Sequence, residues 1–370
     1  MITQIPLWAQ IKNKLHKLSG LKTIVVCLIF LNLLSLLSIY SSLHQGGELF
    51  NHTILYKQIA WIIASWILLI IFASINYRIY FDTGYIIYAL NLLLLLLVYF
   101  FGKTVMGAQR WISILGITFQ PSEISKIAII IILARFFSQN EHKDPFKNFL
   151  LPFGLVALNA LAIFKQPDLG TALIIVFIFF GLGFFSRIKK RYLIFFIIIG
   201  LALSPFALRR LEDYQRRRLT VFINPNIDPL GSGYTIIQSK IAIGSGGLTG
   251  QGFLAGTQNQ FNFLPERHTD FIFTVIAEEW GFLGVLLLLL IYWLILKKIL
   301  QRTKELRDSF AYYLCLGITL IFFLHIFTNI GMTLGILPVV GLPLICLSYG
   351  GTNLFINFIL LGIFFNIARR

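Results

Sequence analysis

The chain is 370 residues long, 57% hydrophobic and only 12% charged, with 31 Lys and Arg against 15 Asp and Glu for a net charge of +16. A soluble domain carries roughly twice that charged fraction. Composition therefore excludes a soluble enzyme or a basic nucleic-acid-binding fold and points to a polytopic membrane protein with no separate soluble domain.

In chain order, Ile5, Trp8, Ile11, Leu15 and Leu18 recur at helical spacing, with Lys12, Lys14 and Lys17 off that stripe. Residues 1–20 therefore read as an amphipathic helix lying on the cytoplasmic face of a membrane. The apolar run 23–41 has no A-x-A-like cleavage site and more spans follow it, so it reads as a retained span. A window of roughly 19–20 residues gives about ten spans. They lie near 22–42, 54–74, 80–101, 120–137, 148–165, 168–186, 192–209, 270–296, 310–336 and 344–367. With the N-terminus inside, the cytoplasmic loops collect Arg78, Arg135, Lys143, Lys147, Arg187, Lys189, Lys190, Arg191, Lys297, Lys298, Arg302, Lys304 and Arg307, and the tail ends Arg369–Arg370. The short external loops hold Lys103, Arg110 and Lys165. This bias fits an even span count. The expectation is an all-α polytopic membrane protein of about ten transmembrane helices with both termini cytoplasmic. Residues 1–370 would form one transmembrane domain, with one long ordered extracytoplasmic loop, 209–269, between the seventh and eighth helices.

That loop breaks the charge pattern. It carries Arg209, Arg210, Arg216, Arg217, Arg218, Lys240 and Arg267, which favours an anionic ligand at the outer face over purely topogenic charge. YTIIQSKIAI suits a short helix on the membrane. The glycine-rich GSGGLTGQGFLAG lacks GK[ST], an intact GxGxxG and a preceding strand, so flexible or close-packed backbone is a better reading than a phosphate cradle. Cys27, Cys315 and Cys346 lie in apolar segments without CxxC spacing, which supports packing rather than metal ligation or disulfides.

Ionisable groups at membrane depth are the candidates for chemistry. Glu123 and Lys126 of QPSEISK share one helix face, as a structural ion pair or a functional one. Asp168 follows Pro167 at the start of the sixth span and suits a helix cap. Asp270 sits where the external loop enters the eighth span, as a cap or as a general base; Glu278 and Glu279 lie about two turns further in and are expected to pair with basic groups. A carboxylate against a low-dielectric wall can take a proton from a sugar hydroxyl. A diphosphate leaving group needs only cations to neutralise it. One acid and a basic loop are thus a minimal kit for glycosyl transfer from a lipid diphosphate.

The blocks GAQRWI (107–112), QPSEISK (120–126), QPDLGTA (166–172), NPNIDPLGSGY (224–234), QSKIAIGSGG (238–247), FLPERHTDFIFTVIAEEWG (263–281), NIGMTLGILPVVGLPL (329–344) and SYGG (348–351) run through nearly the whole chain. Together they resemble the SEDS (shape, elongation, division, sporulation) proteins, on the branch of the elongation members. Ile345, Thr352, Asn353 and His325 depart from the usual pattern of that family. The resemblance implies a glycosyltransferase that polymerises lipid II at the outer face of the bacterial inner membrane. It makes Asp270 the general base and Arg110, Glu123, Lys126, Arg216, Arg218, Lys240, His268 and Thr269 substrate contacts, with Asp168, Glu278 and Glu279 in support. No cofactor is evident, and a divalent cation (Mg or Mn) at the diphosphate stays open. The implied partners are a class B penicillin-binding protein and other membrane proteins of the elongation machinery, with no nucleic acid. A lipid II flippase and a non-catalytic scaffold are the rival readings.

Overall fold

The computed structural model describes residues 7–44, 52–105, 108–114, 117–139, 146–209, 211, 213–229, 231–261 and 263–370. The fold is mostly helical, because only internally bonded backbone is stable against lipid. Helices α1 (Leu7–Leu43), α2 (His52–Ser74) and α3 (Arg78–Phe101) lead to a small antiparallel sheet in the order β1 (Lys103–Val105), β2 (Ala108–Ile114), β3 (Ile117–Phe119). Then come α4 (Pro121–Gln139), α5 (Lys147–Phe164), α6 (Leu169–Phe185) and α7 (Lys190–Arg209). The next segment holds α8 (Asp213–Ile223), a 3-10 turn (Pro225–Ile227), α9 (Ser232–Ser245) and α10 (Thr257–Gln260). Helices α11 (Ile272–Lys304), α12 (Ser309–Thr333) and α13 (Gly351–Arg369) complete the chain.

Among the described residues, six helices are long and apolar enough to cross a membrane: the 19–43 part of α1, and α2, α3, α11, α12 and α13. The interior is built on α4, whose residues Ile127–Ala134 are buried, packed with α12 and α13. The outer helices turn Val26, Ile70, Leu93, Leu161, Phe177, Leu201 and Leu286 outward, an apolar girdle suited to lipid. The backbone of α1 is helical without a break from Leu7, so no turn separates the expected amphipathic segment from the first span. The expected helix within YTIIQSKIAI is present as α9.

Three features were not expected from the sequence. The first is the small sheet between α3 and α4. The second is a break inside α11. Gly281 has φ 63° and ψ −162°, and a Cβ there would lie 2.2 Å from the Gly250 nitrogen. The glycine-rich loop is knitted into this break: Phe282 N–H donates to Gly247 O (2.9 Å), Leu283 N–H to Leu248 O (3.1 Å) and Gln251 N–H to Glu278 O (2.9 Å). The close-packed reading of those glycines is therefore the one the structure has. Ile272–Glu279 is enclosed by protein, whereas from Phe282 onward α11 shows apolar side chains to the outside.

The third is a correction to the last two spans. The tenth was placed at 344–367, but the helix begins at Gly351 and residues 334–350 form no helix. Pro338 and Pro343 cannot donate to a helix, and Gly335, Gly341, Cys346 and Gly350 have positive φ. The second half of this strap is nevertheless buried, with Leu342, Leu344, Ile345, Cys346 and Leu347 at 3% exposure or less. Side chains satisfy it. Tyr292 donates to Ile345 O (2.7 Å), Ser35 to Leu347 O (2.6 Å) and Asn329 to Leu342 O (2.7 Å), while Ser348 Oγ accepts from Leu344 N–H (2.8 Å). Irregular backbone at membrane depth survives only when buried in protein in this way.

Candidate active site

Asp270 lies two residues before α11, half-buried, where the enclosed piece of that helix begins. Its backbone carbonyl accepts from Asn329 Nδ2 at 2.9 Å. Its side chain faces Gly341 of the strap: a Cβ on Gly341 would sit 3.2 Å from Asp270 Oδ2, and the φ of 72° there also disfavours other residues. The carboxyl is pushed up to about 6, first by burial and then by the Glu266 carboxylate, with Arg218 and Arg110 pulling it back. A group so poised is ionised near neutrality yet still basic, as a general base must be.

Two cations on separate elements act on this carboxyl through their charge. Arg110 stands on β2, where its Nε donates to Gln166 O (3.3 Å) and its Nη1 lies 3.8 Å from Asp168 Oδ1. Asp168 caps α6 as the sequence suggested, accepting from Thr171 N–H (3.2 Å), and it also accepts from Gln120 and Ser122 at 2.9 Å. Arg218 stands on α8 and donates from Nη1 to Val339 O of the strap (3.2 Å). Arg216 does not join it. Residues two apart on a helix point to different sides, and Arg216 is exposed, donating to Arg209 O (3.3 Å). It lines an open groove with Asp213, Arg217, Thr220, Val221 and Asp228.

The flanking residues tie the loop down. Thr269 donates to Glu266 Oε2 (2.9 Å). His268 O accepts from Tyr349 N–H (2.9 Å), and the two rings meet edge to face at 5.5 Å. Burial pushes the His268 imidazole below its ordinary value; Glu266 opposes that and Arg267 adds to it. Lys240 on α9 is exposed and rests against Gly335 at the start of the strap.

Two groups of acids lie apart from this mouth. Glu123 and Lys126 are 4% and 1% exposed, and Lys126 Nζ sits 2.8 Å from both Glu123 oxygens. Glu278 and Glu279 were expected to pair with basic groups; among the described residues their partners are neutral. Glu278 accepts from Gln258 N–H (2.8 Å), Thr257 Oγ1 (3.4 Å) and Asn259 Nδ2, and Glu279 accepts from Ser41 Oγ. The N-terminal donors of α10 do the work assigned to a cation. Among the described residues, no group of three or more His, Cys, Asp or Glu side chains could hold a metal ion. Asn329, Gly341 and Val339 were missed individually, although all lie within or beside the block 329–344.

Residues 21–370 match the family described as "Cell cycle protein", which groups FtsW, RodA and SpoVE. The chain belongs to this SEDS family. Among its SEDS relatives, the peptidoglycan glycosyltransferase MrdB of Escherichia coli K12 is 39% identical over 346 residues, covering 93% of this chain and 92% of that one. The peptidoglycan glycosyltransferase RodA of Treponema pallidum is 30% identical, covering 94% and 97%. A chain from a peptidoglycan synthase complex that coordinates polymerization and crosslinking superposes with a TM-score of 0.79 at 30% identity, covering 94% of this chain and 96% of that one. The rod shape determining protein RodA of Thermus thermophilus gives 0.71 at 26%, covering 94% and 95%.

The geometry makes Arg218 one of two charges that hold Asp270 down. Arg218→Gln should raise the Asp270 midpoint above about 6 and move the acidic limb of activity to higher pH. An unmoved limb would show that Arg218 does not act on this carboxyl.

Proposed function

We propose that the chain is a peptidoglycan glycosyltransferase, polymerising lipid II into β-1,4 glycan strands during cell elongation and rod-shape maintenance. The supporting observation is the placing of Asp270: a half-buried carboxyl raised to about 6, its charge balanced by two arginines on separate elements, and facing Gly341 of the strap. Asp270 takes the proton from the 4-hydroxyl of the terminal N-acetylglucosamine of one lipid II. The freed oxygen attacks the anomeric carbon of the donor, and the bond to the undecaprenyl diphosphate breaks with inversion from α to β. Arg110 and Arg218 neutralise the departing diphosphate. Arg216, Lys240, His268 and Thr269 line the approach, and Asp168, Glu278 and Glu279 hold the surrounding elements. Glu123 and Lys126 lie behind the site and act by support rather than contact. A divalent cation (Mg or Mn) at the diphosphate would be held chiefly by the substrate phosphates, which leaves the Asp270 carboxylate to act as the base.

The chain works in the bacterial inner membrane with a class B penicillin-binding protein that crosslinks the product, among other membrane proteins of the rod complex. Flipping of lipid II needs a polar route to both faces, whereas the buried Glu123–Lys126 charges are locked onto each other.

Asp270→Asn removes the base and keeps the shape. General-base catalysis is worth about 10²–10⁴-fold, so the purified chain with its transpeptidase should lose that much lipid II polymerisation. Because the folded-state value of Asp270 is raised, the ionised carboxylate costs stability above about pH 6. The Asn variant should therefore melt no lower than wild type at about pH 8. Full activity in this variant would remove Asp270 from the reaction.

The topology is proposed from the charge bias: ten spans, both termini cytoplasmic, with residues 1–20 on the cytoplasmic side and 209–269 outside. Cys27, Cys315 and Cys346 are free and buried, so they form a quiet background for labelling. Single cysteines in 209–269 should react with an impermeant reagent from outside, and those at Lys189 and Lys298 only after permeabilisation. Labelling of 209–269 from inside alone would overturn this orientation.

A further inference from the structure

Helix α12 carries two polar side chains one turn apart, His325 and Asn329, both 0% exposed. Asn329 grips the site directly, as described above. His325 reaches the same strap one residue later. Its Nδ1 lies 3.3 Å from Pro343 O, and its Nε2 lies 2.8 Å from Lys126 Nζ. Lys126 in turn holds both oxygens of Glu123 at 2.8 Å. Glu123 Oε2 also accepts from Asn353 Nδ2 (3.1 Å), and Asn353 Oδ1 accepts from Asn357 Nδ2 (2.8 Å). One chain of polar contacts thus joins α4, α12 and α13 to the strap.

The partners fix the state of the ring. An ammonium has three hydrogens to donate and no acceptor. Two of those of Lys126 go to Glu123, and the third needs a lone pair, which His325 Nε2 supplies. The proton of the neutral imidazole must then sit on Nδ1, where it is donated to Pro343 O. A doubly protonated ring would set a second cation 2.8 Å from Lys126. From Pro343 the strap runs back through Leu342, whose carbonyl Asn329 holds, to Gly341, which faces the Asp270 carboxyl.

The geometry points to His325 as a positioning residue: through Pro343 it anchors the strap beneath Asp270 to the Glu123–Lys126 pair and so sets where the carboxylate stands. It touches neither substrate nor the reacting atoms. The inference deepens the proposed glycosyl transfer and rests on Asp270 being its base. An apolar side chain of the same size would fill the space, but it would give Lys126 no acceptor and Pro343 no donor. Glutamine supplies one of each, its carbonyl to Lys126 and its amide to Pro343.

Three variants and one spectrum test this, using the full chain with its transpeptidase and lipid II as the probe. A misplacement of about 1 Å can cost on the order of 100-fold in rate. His325→Phe should lower kcat by about 10–100-fold with KM within about threefold of wild type, and His325→Gln should restore at least about a third of the lost kcat. Nitrogen-15 spectra of histidine-labelled wild type should show His325 neutral with its hydrogen on Nδ1. Wild-type kcat in His325→Phe, a loss in His325→Gln as deep as in His325→Phe, or a hydrogen on Nε2 would each overturn the assignment. If His325→Phe does not fold, the wild-type spectrum and the Gln variant decide alone. Asp270→Asn on the same preparation separates the two ideas. Polymerisation by Asp270→Asn would sink the base, whereas an inert Asp270→Asn beside a fully active His325→Phe would sink only the anchor.

Discussion

One side-chain amide joins the two halves of this site. Asn329 Nδ2 donates to the carbonyls of both Asp270 and Leu342, at 2.9 and 2.7 Å, and so binds the start of α11 to a strap that has no secondary structure of its own. Everything around the site follows from the need to bury that strap. Its second half lies inside the protein, where each unpaired polar group costs free energy comparable to a lost hydrogen bond. Ser35 from α1, Tyr292 from α11, Asn329 and His325 from α12 and Arg218 from α8 therefore converge on its carbonyls. The same convergence places Arg218 where its charge acts on the Asp270 carboxyl.

The electrostatics use that arrangement. Burial alone would make Asp270 a poor carboxylate, and two arginines alone would make it a poor base. Their opposition leaves it at about 6. The arginines come from β2 and α8, so neither is brought to Asp270 by sequence proximity, and each is held by its own partners, Gln166 and Asp168 for Arg110 and Val339 for Arg218. The break at Gly281 serves the same end. It lets the piece of α11 that carries the site be enclosed by protein while the rest of the helix shows its leucines outward.

Much of this was legible in the sequence. The apolar runs located the long helices, because a lipid-exposed backbone has few alternatives to a helix. Pro167-Asp168 announced a cap, and the glycine-rich loop left flexible and close-packed backbone open, of which the structure has the close-packed one. Other features depend on contacts between distant parts of the chain. Nothing local tells that a leucine-rich run near 344 is irregular; only its prolines and glycines hinted at it, and its carbonyls are satisfied from four separate helices. Arg216 and Arg218 looked equivalent until α8 turned them apart. Glu278 and Glu279 were assigned cations because buried carboxylates usually need them, whereas a short helix and a serine supply the donors here. Glu123 and Lys126 were read as a pair from spacing alone, but His325 is 199 residues away from Lys126 and invisible to such a reading.

The central claim is that Asp270 is a base tuned by its setting, and the most direct measurement is its own titration. Carbon-13 labelling of the aspartate carboxyls, with Asp270→Asn to assign the signal, gives that curve in the purified chain. The account predicts a midpoint at about 6. A midpoint near the ordinary 3.8 would contradict it, because the desolvation and charge balance described here would then not exist at this carboxyl.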